Sequence, residues 1–160
     1  MEHVFTYIRE TRRAMTKIVD TLSIDDLNRI PNGFANNIIW NYGHIYVSTL
    51  ALTYLRTGVE KDKVIPHLRK YGKGSKPEEL VGKDEIAFLK DNILLSIDLL
   101  EADYKNNVFR QIAPFATETY GKTMDAIEEV ITCTLAHDNF HFGYVKALQK
   151  AVLPSPSHLP

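Results

Sequence analysis

Four long stretches of this chain carry apolar residues at steps of three and four positions. That spacing puts the apolar side chains on one face of an α-helix and leaves charged residues on the other face. The first stretch shows the pattern most clearly, with apolar residues at Val4, Phe5, Ile8, Met15, Ile18, Val19 and Leu22. We therefore predict helices over residues 2–22, from about 37 to 58, from 83 to about 100, and from 124 to 148.

These helices predict an all-α fold, because no segment shows a convincing strand pattern. We expect a four-helix bundle, an architecture whose cofactor sites are built from side chains on facing helices. A chain of 160 residues fits one domain with a sizeable core. We predict that domain over residues 1–152 and a proline-rich tail over residues 153–160.

Turn and cap residues separate the predicted helices. Ser23 is predicted to cap a short helix that runs through Ile30 and ends before Pro31, and Asn36 or Asn37 is predicted to cap the second long helix. Glycine and proline interrupt residues 59–82, which we predict as a long crossover loop between helices two and three.

A second irregular segment covers residues 106–121 and precedes the last long helix. Thr123 follows this segment and is predicted to cap that helix, which would begin at Met124.

The composition excludes some classes of function. Nineteen Lys and Arg residues stand against twenty Asp and Glu, a net charge of -1, so we expect no nucleic-acid partner. No apolar run approaches the ~18 residues of a membrane span, and the first residues lack the features of a secretory signal. The one cysteine, Cys133, cannot form an internal disulfide. We expect a cytoplasmic protein without a membrane partner.

Three of the six histidines form a candidate metal site. His137 and His141 are four positions apart, which places both imidazoles on one face of the last helix. His44 lies in the apolar middle of the second helix and supplies a third imidazole. Three neutral imidazoles suit a divalent cation, with Zn or Ni favoured and Fe as an alternative, and they leave a position for water or substrate. The other interpretation is that the three are packed core residues.

The other histidines have simpler interpretations. His3, His67 and His158 lie at the N-terminus, in the predicted loop and in the tail, where surface imidazoles need no special role.

Other polar residues are weaker candidates for the pocket. Asn37, Tyr120 and Cys133 can line it, although capping explains the asparagine and core packing explains the other two. We interpret Asp138, which follows His137, as an exposed helix carboxylate, as we do Glu128 and Glu129.

A basic stretch in the predicted loop has two interpretations. Six Lys and Arg residues lie within residues 61–76 and most simply form a solvated loop. If the loop covers the metal end of the bundle, it can instead recognise the carboxylates of an anionic thiol or substrate.

The chain resembles the DinB/YfiT-like family of metal-dependent four-helix-bundle proteins. The resemblance rests on an Asn-rich start of the second helix with Trp40 and Gly43-His44-Ile45, and on the last-helix motif His137-x-x-x-His141-x-Gly143. It implies that His44, His137 and His141 bind a divalent cation. Better-understood relatives use the metal to activate a low-molecular-weight thiol, as bacillithiol S-transferases or mycothiol-dependent isomerases.

Two classes of function follow from these observations. The first is a metal-dependent enzyme acting on a small molecule, either a thiol-dependent S-transferase or a metal-activated hydrolase. The second is a non-catalytic helical module for dimerisation or ligand binding, with the histidines packed in the core. A homodimer formed through an apolar helix face is compatible with both.

Overall fold

The computed structural model describes residues 1–153, and four long helices dominate it. They are α1 (Glu2–Thr21), α3 (Ile38–Leu50), α5 (Lys83–Lys105) and α6 (Ile127–Val152). Two short helices, α2 (Ile24–Asn28) and α4 (Leu68–Tyr71), lie in the connections. The strands β1 (Phe115–Ala116) and β2 (Thr123–Met124) form a two-residue antiparallel ladder. The prediction of an all-α bundle is confirmed.

The four long helices form a bundle in which α1 and α3 face each other across the centre. Each of α1 and α3 packs beside both α5 and α6. Phe5 clusters with Ile131, whereas Val19 clusters with Val152, so α1 and α6 run in the same direction. The other two long helices run the opposite way. Because α3 packs next to α6 and runs antiparallel to it, side chains from the middle of α3 lie beside side chains from the middle of α6.

The caps predicted for two helices are present. The Ser23 hydroxyl accepts a hydrogen bond from the Asp26 backbone N–H at 3.1 Å, and the Asn37 side chain accepts one from the Trp40 N–H at 2.8 Å. The short helix α2 ends at Asn28, earlier than predicted, because the backbone is already extended at Arg29.

The second long helix continues beyond α3 as a π-helical turn, Ala51–Arg56. Thr49, Thr53 and Thr57 each donate a side-chain hydrogen bond to the carbonyl four residues earlier, a contact that competes with regular helical bonding and bends helices. The helix ends before Gly58, whose positive φ of 74° is costly for other residues.

Two predictions about the connections are wrong in detail. The segment between Thr57 and Gly82 contains the helical turn α4, which packs on α3. The last helix begins at Ile127 and not at Met124, because Thr123 pairs with Ala116 in the β-ladder and therefore caps nothing. The Glu129 carboxylate instead accepts the Asp125 N–H at 3.1 Å in front of the helix.

No helix in the described part of the chain has the length and hydrophobicity needed to cross a membrane. The predicted proline-rich tail lies, apart from Leu153, outside the described residues.

Candidate metal centre

The three predicted histidines meet between α3 and α6. His44 comes from α3, and His137 and His141 come from consecutive turns of α6. One ring nitrogen from each lies within 4.8 Å of the others, and the ring centroids are 4.5 to 5.1 Å apart. Imidazoles placed this close together could hold one metal ion.

A backbone carbonyl orients the His44 imidazole. Its Nδ1 is 2.6 Å from the carbonyl oxygen of Tyr71, the last residue of α4. Because a carbonyl only accepts, Nδ1 carries the proton and Nε2 keeps its lone pair. The Trp40 ring stacks on the imidazole at 4.6 Å, and the Ser48 hydroxyl lies 3.2 Å from Nε2. The ring is therefore held on three sides with Nε2 as the available ligand atom.

A side-chain amide orients His141 in the same way. Its Nδ1 is 2.8 Å from Asn41 Oδ1. The Asn41 amide nitrogen donates to the Asn37 carbonyl at 2.7 Å and to Asn36 Oδ1 at 2.9 Å. These bonds fix which end of the amide faces the histidine, so Asn41 Oδ1 accepts and His141 Nδ1 donates. His141 Nε2 is then also unprotonated.

His137 has a nitrogen without a protein partner. Its Nδ1 is buried and makes no hydrogen bond to the described residues. Leaving such an atom unpaired costs about 1–3 kcal/mol. The Asp138 carboxylate oxygen, at 4.0 Å, is beyond hydrogen-bonding distance, so this nitrogen keeps an unused hydrogen-bonding capacity within the histidine cluster.

The environment keeps the three imidazoles neutral. Burial lowers the pKa of His44. Burial, together with the neighbouring histidines and, for His137, Arg12, lowers the pKa of His137 and His141 to about 3. Neutral imidazole is the form that binds metal. Two fixed tautomers and one orphaned nitrogen therefore fit a divalent cation.

Gly43 lets α4 approach α3 at this level. A Cβ at Gly43 would lie 2.6 Å from Cγ of Tyr71, so the Tyr71 ring occupies the space that a side chain would need. This contact brings the Tyr71 carbonyl to His44.

The two residues that orient the ligands, Asn41 and Tyr71, were not predicted. A sequence signal existed for Asn41 only. It lies three positions before His44, and therefore on the same helix face, whereas Tyr71 acts through a backbone carbonyl that no sequence motif marks.

The three predicted pocket residues occupy two different places. Asn37 is buried as the N-cap of α3, and its backbone carbonyl accepts a hydrogen bond from the Asn41 amide. Tyr120 and Cys133 line one 560 Å³ cavity between the β-hairpin and α6. The Tyr120 side chain is 54% exposed, and Cys133 is half-buried.

The interpretation of Asp138 as an exposed carboxylate is wrong. Its side chain is completely buried and pairs with the equally buried Arg12 at 2.7 Å. The amphipathic pattern did not predict this burial. The Asp138 carboxylate faces the centre of the bundle because it pairs there with Arg12, a residue of another helix. Glu128 is exposed as predicted, and Glu129 is partly exposed.

The basic stretch 61–76 contacts the site through the backbone carbonyl of Tyr71. Several of its lysines form ion pairs with glutamates. Lys63 pairs with Glu60, and Lys70 pairs with Glu85. Lys73 forms an ion pair of 2.5 Å with Glu118 of the β-hairpin turn.

The two other histidines within the described residues lie away from the centre. His3 is exposed near the start of α1, and His67 packs beside Phe88 and lies 3.5 Å from Glu85.

Comparison with known proteins agrees with the geometry. A search of curated proteins found no match to this chain. A family model described as the DinB superfamily matches residues 7–145, which include all three histidines, the whole of α3 and most of α6. The chain therefore belongs to the DinB superfamily.

Proposed function

We propose that this chain is a metal-dependent enzyme that binds a divalent cation through His44, His137 and His141 and acts on a small molecule. The observation that carries the proposal is the convergence of three imidazoles whose ring nitrogens lie within 4.8 Å of one another. The other contacts of His44 and His141 leave their Nε2 atoms unprotonated. Three imidazoles leave coordination positions open, as in catalytic sites.

The bound cation would supply Lewis acidity, lowering the pKa of a coordinated thiol or water. The protein's own residues hold the imidazoles in place. Tyr71 and Asn41 fix the ring tautomers, and the Trp40 ring covers one face of His44. The Nδ1 atoms of His44 and His141 are therefore already hydrogen-bonded before a substrate arrives.

We favour thiol transfer over hydrolysis as the reaction. The support is the family membership together with the thiol chemistry of better-understood relatives. In this reaction the thiol loses its proton to solvent, and its sulfur forms a bond to the electrophilic carbon of the substrate. The leaving group departs with the electrons of the broken bond.

Metal binding is tested first, on protein purified without a histidine tag. Zn²⁺ and Ni²⁺ are titrated by calorimetry into the wild type and into His44→Ala, His137→Ala and His141→Ala. His3→Ala is the matched control because this exposed histidine lies outside the centre. We expect one site per chain, lost in the three variants and kept in the control. Equal binding by the control and the three variants, or no binding by the wild type, contradicts the proposal and favours a non-catalytic module.

The reaction is tested on the metal-loaded protein with bacillithiol or mycothiol and a chlorinated aromatic electrophile. S-transfer predicts a thioether product that requires both the thiol and the three histidines. Product formed without thiol would point to hydrolysis instead.

A further inference from the structure

A cavity of 560 Å³ lies between the β-hairpin turn and the first turns of α6. Its size is within the range of small-molecule sites in proteins. Six of the residues that line it are Thr117, Tyr120, Met124, Thr132, Cys133 and Ala136.

Two structural links relate the cavity to the three-histidine centre. On α6, Cys133 lies one turn before His137 on the same helix face, and Ala136 directly precedes His137. On the other side, the Lys73–Glu118 ion pair joins the hairpin turn to the segment that follows α4. That segment follows Tyr71, the last residue of α4, whose carbonyl contacts His44. The cavity thus extends to the turn of α6 directly before His137, and we expect a molecule bound there to lie near the centre.

The exposed wall of the cavity is mostly apolar, and its charged residues lie at the rim. Met124 is buried, and the methyl-bearing side chains of α6 supply much of the rest. Three charged residues line the rim of the cavity. Lys122 and Glu129 form an ion pair with each other. Glu128 accepts a hydrogen bond from the Tyr104 hydroxyl. Burial raises the pKa of the Cys133 thiol, which stays uncharged near neutral pH. Such a wall favours an uncharged, apolar ligand group over a carboxylate or phosphate.

We propose that this cavity binds the apolar, uncharged part of the substrate, such as an alkyl or aryl group, and holds the reacting end beside the histidines. The role as a substrate site rests on the proposed function, but binding itself does not, since none of the three histidines lines the cavity. Metal binding and cavity binding can therefore fail separately.

The first test uses 4-methylphenol, 4-ethylphenol and 4-propylphenol as probes in calorimetric titrations of the metal-free full-length chain. Each added methylene should raise the affinity about fourfold, since burying one contributes roughly 0.8 kcal/mol. Ala136→Trp should fill the cavity and lower the affinity at least tenfold. Ala147→Trp is the matched control, because Ala147 is also exposed on α6 but does not line the cavity.

A second readout uses Cys133, the one cysteine of the chain. Iodoacetamide labelling followed by mass spectrometry reports occupancy of the cavity. A saturating alkylphenol should slow labelling at least fivefold in the wild type and in Ala147→Trp. Absence of saturable binding, unchanged affinity in Ala136→Trp, or labelling that the probe does not slow would overturn the binding proposal.

Adjacency to the histidine centre is tested by NMR with Co²⁺ in place of Zn²⁺. The paramagnetic ion should broaden the proton signals of bound 4-propylphenol, whereas Zn²⁺ should not. Binding without Co²⁺-dependent broadening, in protein shown to hold Co²⁺, would mean that the cavity does not serve the centre. A chain that binds the phenol but no metal would contradict the proposed function and leave the cavity site established.

Discussion

Arg12 donates from its Nε to Asp138 Oδ2 at 2.7 Å, and both side chains are completely shielded from solvent. Asp138 directly follows His137. The same guanidinium donates to the Ile45 carbonyl at 3.2 Å and to Thr49 Oγ1 at 2.6 Å, both on the turns of α3 next to His44. Arg12 therefore joins the two helices that carry the metal ligands, and its bonds to the Ile93 carbonyl and Ser96 of α5 connect all four long helices.

Removing one member of this pair should destabilise the protein strongly. Arg12→Met leaves the Asp138 carboxylate buried without its partner, which typically costs about 3–5 kcal/mol. Urea unfolding of the metal-free variant measures the loss. A loss below about 1 kcal/mol would show that water or another group replaces the guanidinium.

The double variant Arg12→Met with Asp138→Leu separates stability from positioning. Replacing both charges by apolar groups often restores stability, but it also removes the link between α3 and α6. We expect stability close to that of the wild type together with weaker Zn²⁺ binding in calorimetry. Zn²⁺ affinity equal to that of the wild type would restrict Arg12 to a structural role.

Asn41→Ala should weaken metal binding without removing a ligand. The change deletes the acceptor that keeps the proton on His141 Nδ1, and loss of such a supporting contact typically costs 10–100-fold in metal affinity. Calorimetric Zn²⁺ titration measures the change. Asn139→Ala is the control, because Asn139 is exposed on α6. Equal affinities in the two variants would contradict the role of Asn41.

Gly43→Ala should disturb the contact between α3 and α4. The new Cβ would lie 2.6 Å from the Tyr71 ring, so the ring and the carbonyl that holds His44 must shift. We expect a loss of about 1–3 kcal/mol in unfolding free energy and weaker Zn²⁺ binding.

The matched control for Gly43 is Gly143→Ala. A Cβ at Gly143 meets no atom within 4 Å, and alanine is favoured over glycine inside a helix by roughly 0.5–1 kcal/mol. This variant should be more stable than the wild type in the same urea titration. Destabilisation by both changes would mean that the Tyr71 contact is not the cause.

The metal-free protein should lose stability as the pH falls below 6.5. His137 and His141 keep a pKa of about 3 in the folded chain, against 6.5 as their ordinary value. Between these values the unfolded chain binds protons that the folded chain excludes, so acid favours unfolding. Each histidine should contribute about 2 kcal/mol of loss between pH 7.5 and pH 5.

The measurement is urea unfolding at both pH values in the wild type and in the double variant His137→Ala with His141→Ala. The pH-dependent loss should be smaller in the variant by the contribution of the two histidines. An equal loss of unfolding free energy in both proteins would mean that other groups cause the sensitivity to acid.

Local patterns in the sequence determined the helices and their caps. Apolar spacing predicted α1 almost to the residue, because an amphipathic helix needs only neighbours along the chain. Ser23 and Asn37 were readable as caps for the same reason, since each bonds an N–H three residues away. The spacing of His137 and His141 likewise placed both imidazoles on one helix face.

Only the tertiary structure decided what surrounds these residues. Asp138 was predicted to be exposed because its partner Arg12 is 126 positions away in the chain, a distance over which periodicity carries no information. The β-ladder that delays the start of α6 also needs two separated segments to meet. Hydrogen bonds and ion pairs between distant residues depend on how helices are placed against one another. For that reason the sequence identified the three histidines, and the packing of α3, α4 and α6 determined the tautomers of His44 and His141 and the burial that keeps all three imidazoles neutral.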